Sequence, residues 1–276
     1  MALNLASDTV GNGPPLMVLH GLFGSSSNWR GVARQLAPTH TVHSVDLRNH
    51  GSSPWADTMD YGDMAGDVLQ LMDRLGLKQP AVLGHSMGGK VAMALALRHP
   101  QRLSRLVVVD IAPVSYADTL TPFAEAMRGA DVMAAASRAE VQSRLQQTAI
   151  DPGVVPFLMQ NLVMRNEHFD WRINLMGIAA AMPQLCSFPT DLLGARFDRS
   201  LTVIAGANSE YVAQINGEAF RPMFGQVEIK VIPDAGHWVH ADQPDAFVAC
   251  VKRALQQPPA CVERKPASTT TKETGP

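Results

Sequence analysis

Residues 84–88 read Gly84-His85-Ser86-Met87-Gly88, directly after the apolar run 81–83 and directly before an Ala/Leu-rich stretch, 90–98. Gly-x-Ser-x-Gly between a strand and a helix makes a turn so sharp that the serine backbone is strained and its hydroxyl stands at the tip. A Cβ two residues before or after the serine would collide with the neighbouring chain, so both positions are glycine. A Gly-rich turn with an incidental serine shares these five letters. It does not share the strand before them, the helix after them and the three further signals below. The pattern commits the chain to a strand–turn–helix unit and assigns a chemical role to the Oγ of Ser86.

The rest of the chain alternates in the same manner. Continuous apolar runs at 16–20, 81–83 and 106–109, with a further run at 41–47, read as strands, the runs having no polar face because both faces are buried. Between them, 28–36 and 64–75 carry apolar residues at helical spacing. Strands alternating with helices imply a mainly parallel sheet covered on both faces. After Pro113 the alternation stops, and 123–128, 138–148, 155–164 and 171–181 all read as helices. It resumes with strands at 201–205 and 227–232 and helices at 212–223 and 245–255. A crossover normally uses one helix and not four, so 114–197 is predicted to be a helical cap. The core is then 1–113 and 198–257, and the Pro/Thr/Lys/Glu-rich tail 258–276 is expected to be disordered. Gly11-Asn12-Gly13 precedes a strand and reads as a turn.

Composition narrows the function classes. The chain has 276 residues, 46% of them hydrophobic, and a formal net charge of −2. This is a globular balance with no electrostatic case for nucleic acid or a membrane surface. Three scattered cysteines point to reduced thiols, not to a disulfide framework. No basic-then-apolar leader opens the sequence, and no apolar stretch reaches the roughly 18 residues that span a bilayer. The expectation is a soluble, cytoplasmic protein. Zinc-ligand spacing, a P-loop and G-x-G-x-x-G are all missing, so neither a metal nor a cofactor is expected.

Ser86 is the first of four signals. A serine hydroxyl is a weak nucleophile and needs a base within hydrogen-bond reach. The second signal is Gly236-His237-Trp238, between the last strand and the last helix, which offers His237 as that base. His240, three residues on, is its rival and is read as starting the last helix. The third is an acid to orient the imidazole. The strand 201–205 runs into Gly206-Ala207-Asn208-Ser209-Glu210 with no aspartate, whereas Asp110 ends the strand after the serine-bearing unit. Adjacent parallel strands lie about 5 Å apart, so an acid at either strand end reaches the same ring. Asp110 is favoured and Glu210 is the alternative; a turn-capping role for Asp110 competes with both. The fourth is His20-Gly21-Leu22-Phe23-Gly24 after a strand. It places the N–H of Leu22 beside that of Met87 as a pair of donors for a developing oxyanion.

Together these residues resemble the α/β-hydrolase superfamily over roughly residues 2–256. Within it they resemble a branch of small serine esterases and thioesterases. The resemblance rests on His-Gly-Leu-Phe-Gly-Ser (20–25), Asp-x-Arg-Asn-His-Gly-x-Ser-Pro (46–54) and Gly-His-Ser-Met-Gly-Gly-Lys (84–90). It extends through Val-Asp-Ile-Ala-Pro-Val (109–114), Gly-x-Asn-Ser-x-Tyr-Val (206–212) and Ala-Gly-His-Trp-Val-His-Ala-Asp-x-Pro (235–244). It implies an α/β-hydrolase fold with a cap inserted after the strand ending at Asp110. It also implies Ser86 as nucleophile, His237 as base, Asp110 as acid, and short acyl esters or acyl-CoA as substrates. Serine at position 86 argues against dehalogenases and epoxide hydrolases, which carry aspartate there. Carbon–carbon bond hydrolysis, cofactor-free oxidation and non-enzymatic ligand binding use the same residues and stay open. Among the aromatic residues, Phe23, Trp171 and Trp238 are the foremost substrate contacts, with Trp29, Tyr61 and Phe123 behind them. Core packing explains each of the six equally well on its own.

Overall fold

The computed structural model describes residues 2–213 and 217–256, so the tail 258–276 lies outside the described residues. In chain order the strands are β1 (Ser7–Val10), β2 (Pro15–Leu19), β3 (Thr41–Val45), β4 (Ala81–His85), β5 (Arg105–Val109), β6 (Leu162–Arg165), β7 (His168–Trp171), β8 (Phe197–Gly206) and β9 (Phe224–Ile232). The α-helices are α1 (Arg30–Leu36), α2 (Tyr61–Arg74), α3 (Met87–Arg98), α4 (Thr121–Gly129), α5 (Arg138–Gln146), α6 (Val155–Leu158), α7 (Leu175–Cys186), α8 (Glu210–Ala213), α9 (Val239–Asp242) and α10 (Pro244–Gln256).

Seven strands form one sheet in the order β1-β3-β2-β4-β5-β8-β9, with β1 antiparallel and the others parallel. The apolar runs are continuous because alternate side chains enter two separate cores. Leu16, Val18, Leu83, Val107 and Ile204 pack with Val32 of α1 and Phe247 of α10. Met17, Leu19, Val82, Val108 and Val203 pack with Val68 of α2 and Val91 of α3. β1 escapes the apolar criterion because it is a short polar edge strand, Ser-Asp-Thr-Val, and exposed over most of its length.

The order of the strands decides where a site can form. From β2 the chain moves one way along the sheet to β3, and from β4 it moves the other way to β5. The loops leaving the carboxyl ends of β2 and β4 therefore part and open a crevice between them, the usual ligand position in an open α/β sheet. The loop after β3 is held by Arg48, which forks onto both oxygens of Asp67 on α2, 2.7 and 2.9 Å away, and reaches Asp63 at 2.8 Å. No helix among the described residues is long and apolar enough to cross a membrane.

The segment between β5 and β8 carries four α-helices, and it also holds a β-hairpin where helix was expected. The helix expected at 155–164 stops at Leu158, passes through a 3-10 turn (Met159–Asn161) and becomes β6. Asn166 and Glu167, with φ of 45° and 68°, turn the chain tightly into β7. The hairpin buries Leu162 opposite Trp171. The next helix, expected from 171, starts only at Leu175, because the Asn174 side chain caps it by accepting the Gly177 N–H at 3.0 Å. The helix expected at 212–223 is also shorter. α8 ends at Ala213, residues 214–216 lie outside the described residues, and 217–223 are turns containing Gly217 at φ 73°. The strand expected at 201–205 starts earlier, at Phe197, so that Asp198 lies within β8.

Candidate active site

The tight turn after β4 has the backbone its sequence dictates. Ser86 sits at φ 52°, ψ −119°, outside the ordinary regions for a side-chain-bearing residue. A Cβ on Gly84 would overlap the Gly88 carbonyl oxygen, and one on Gly88 would overlap the carbonyls of Leu19 and His20. The helix that follows, α3, is buried from Met87 to Leu97 and holds the serine from below.

Asp110 leaves the end of β5 at φ 53° and is fully buried. Its Oδ1 accepts the Gly206 N–H at 3.0 Å, and its Oδ2 accepts His237 Nδ1–H at 2.8 Å and the Ser209 hydroxyl. With the Nδ1 proton directed at a carboxylate, Nε2 of His237 is left with the lone pair that a base requires. Ser209 is the residue that sequence reasoning missed. It stands in the segment after β8, which holds no aspartate, and donates its hydroxyl to Asp110 instead. Glu210 is exposed and makes no hydrogen bond or ion pair to His237 among the described residues.

The loop carrying His237 is fixed from several sides. The ring of Tyr211 stacks on it at 4.3 Å, and Gly236 N–H donates to Asp242 at 2.8 Å. His85, in the turn itself, donates from Nε2 to the His237 carbonyl at 2.9 Å. Burial, reinforced by the neighbouring His237 and His240 rings, pushes the pKa of His85 well below 6.5 and keeps it neutral. His240 stacks flat on Trp29 at 4.5 Å, and burial lowers its pKa to about 4. It lies in the short α9, before the last helix, and no carboxylate partners its ring among the described residues.

Ser86 lies where two cavities meet. One is walled by Trp29, Asn28, Phe157, His237 and Trp238. The other is walled by Met87, Lys90, Tyr61, Ile111 and Tyr116. Leu22, Leu120 and Ser86 belong to both. The Ser86 hydroxyl makes no hydrogen bond to His237 among the described residues, although both line the first cavity. Such contacts tighten when substrate fills a site.

The loop after β2 is locked by two neutral histidines. His20 donates from Nδ1 to the Gly21 carbonyl and accepts the Leu47 N–H at Nε2. His50 donates to the Arg48 carbonyl and accepts the Phe23 N–H, at 2.9 and 3.2 Å. The N–H groups of Phe23, Gly24 and Ser86 are thereby occupied, Gly24 by Gly21 and Ser86 by Val109. Those of Leu22 and Met87 have no protein acceptor among the described residues, and both residues line the cavity.

Two of the aromatic candidates lie elsewhere. Phe23 is buried at φ 61° with its carbonyl accepting from Asn161, and it lines neither cavity. Trp171 packs inside the inserted segment and donates its indole N–H to the Met127 carbonyl. Phe123 also lines neither cavity, whereas Trp238, Trp29 and Tyr61 do.

The crevice thus brings together a serine in a strained turn, a buried aspartate–imidazole pair and two unpartnered N–H donors. The chain belongs to the α/β-hydrolase family: the model of the alpha/beta hydrolase fold matches residues 14–244. It is 34% identical over 257 residues to the sn-1-specific diacylglycerol lipase ABHD11 of Danio rerio, covering 90% of this chain and 80% of that protein. It is also 34% identical over 267 residues to esterase YbfF of Escherichia coli K12, covering 92% of this chain and 99% of the relative. A solved marine microorganism esterase superposes with a TM-score of 0.88 at 31% identity, covering 91% of this chain and 99% of the other.

Proposed function

We propose that this carboxylesterase-type hydrolase cleaves short acyl esters and thioesters through an acyl-enzyme on Ser86. The observation that carries the reading is the 2.8 Å bond from His237 Nδ1 to the buried Asp110, at the wall of the cavity that exposes Ser86. Ser86 Oγ attacks the carbonyl carbon while His237 Nε2 takes its proton. Asp110 holds the ring in the right tautomer and stabilises the imidazolium. The oxyanion is received by the N–H groups of Leu22 and Met87, donors already in place before the charge develops. His237 returns the proton to the leaving alcohol or thiol. A water activated by the same ring then releases the acid and frees the serine. The two cavities meeting at Ser86 provide separate room for the acyl and leaving groups.

The test is hydrolysis of p-nitrophenyl butyrate and butyryl-CoA by wild type and Ser86→Ala. The variant is expected to lose about 10⁴-fold or more in kcat. Turnover that survives the substitution removes Ser86 from the role.

A further inference from the structure

Lys90 is an unusual residue to find in the wall of such a cavity. It lies one helical turn, about 6 Å, along α3 from Ser86, and it is only 2% exposed. No carboxylate pairs with it among the described residues. Its Nζ donates instead to the carbonyls of Cys186 and Ser187, at 3.1 and 2.7 Å, and lies 5.0 Å from the Tyr116 ring centre and 5.6 Å from that of Tyr61. Tyr61, itself buried, donates its hydroxyl to the Leu185 carbonyl at 2.6 Å.

Three consecutive carbonyls, those of 185, 186 and 187, are thus satisfied by two side chains from the hydrolase core. They sit at the carboxyl end of α7, where helix carbonyls lack partners of their own and the helix dipole favours a cation. The cluster also divides space. On one side is the cavity lined by Ser86, Met87 and Lys90. On the other is a second, wider cleft lined by Gln184, Ser187, Phe188 and Arg98. Tyr61 is a wall of both.

We propose that Lys90 and Tyr61 form a polar stop that ends the acyl side of the cavity and restricts the enzyme to short acyl chains. The inference rests on the ester-hydrolase reading above and names its acyl class. An apolar chain running from Ser86 past Met87 reaches the ammonium within a handful of carbons. To go further it must break the bonds to the 185–187 carbonyls and leave a buried charge against methylenes, which is costly. Burial already lowers the lysine pKa to about 8. Without the stop, the cavity continues into the outer cleft and accepts longer chains.

The experiment is kcat/KM along a p-nitrophenyl ester series from acetate to laurate, for wild type, Lys90→Met and Tyr61→Ala. Wild type is expected to fall by about 10-fold or more between butyrate and decanoate. In each variant the decanoate-to-acetate ratio is expected to rise at least about 10-fold over wild type. Because the ratio is read, a partial loss of folded enzyme cancels. If Lys90→Met does not fold, Tyr61→Ala alone carries the comparison. Ratios unchanged in the variants, or a wild type equally active on long chains, would overturn the stop while leaving ester hydrolysis intact. A wild type that cleaves no member of the series overturns the hydrolase reading and the stop with it.

Discussion

His85 Nε2 donates a hydrogen bond to the main-chain carbonyl of His237, 2.9 Å away and 152 positions along the chain. The residue next to Ser86 thus holds the loop that carries His237. Burial keeps the ring neutral, and it also lines the cavity.

Replacing His85 with Phe keeps a flat ring and removes the donor. The loop is then free to drift, and a displacement near 1 Å costs about 10²-fold in such sites. We expect kcat for p-nitrophenyl butyrate to fall by about 10- to 100-fold while KM changes little. An unaltered kcat would show that the loop is positioned without this bond.

The acid assignment separates cleanly. Asp110→Asn reverses the hydrogen-bond demand on His237 Nδ1 and favours the wrong tautomer, with an expected loss of up to about 10⁴ in kcat. Glu210 is exposed and remote from the ring's hydrogen bonds, so Glu210→Gln is expected to stay within about 2-fold. Steady-state kinetics of the two variants side by side decides the matter, and the opposite ranking would move the acid to Glu210.

Stability should fall in mild acid. His50, with Nδ1 donating and Nε2 accepting, must be neutral, and burial holds its pKa at about 3 against an ordinary 6.5. His240 is held at about 4 by burial. Unfolded, both take up a proton near pH 6.5; folded, they do not until pH 3–4. Their contribution is therefore complete above about pH 6.5 and is lost progressively as pH falls toward 4 and then 3. Each represents on the order of a few kcal/mol over that window. Urea midpoints measured at pH 7.5, 6 and 5 should drop steadily, and a flat profile would contradict the neutral-histidine locks.

The Arg48–Asp67 pair, 1% and 0% exposed, is the electrostatic tie between the loop after β3 and α2. Asp67→Ala leaves the guanidinium buried with one of its two carboxylate partners gone, at an expected cost of about 3–5 kcal/mol. Asp73→Ala breaks the Arg102–Asp73 pair, whose side chains are 30% and 62% exposed, and should cost about 0–1 kcal/mol. Chemical denaturation of both variants tests the contrast, and comparable losses would refute it.

Much of this arrangement is written locally. The strained turn at Ser86 follows from the sterics of five adjacent residues, and the alternating strands and helices follow from apolar periods of a few residues. His237 also stood out locally, since Gly236-His237-Trp238 lies between the last strand and the last helix. Tertiary structure decided what meets across the sheet. Asp110 joins His237 across 127 positions and Ser209 across 99, contacts that depend on β5 and β8 being neighbours. No local pattern encodes that adjacency. The same holds for Lys90, which looks like one more helix residue until the carboxyl end of α7 is laid over it. The β6–β7 hairpin was hidden because its turn is Asn166-Glu167 and not a glycine pair, so neighbouring packing, not propensity, chose strand over helix.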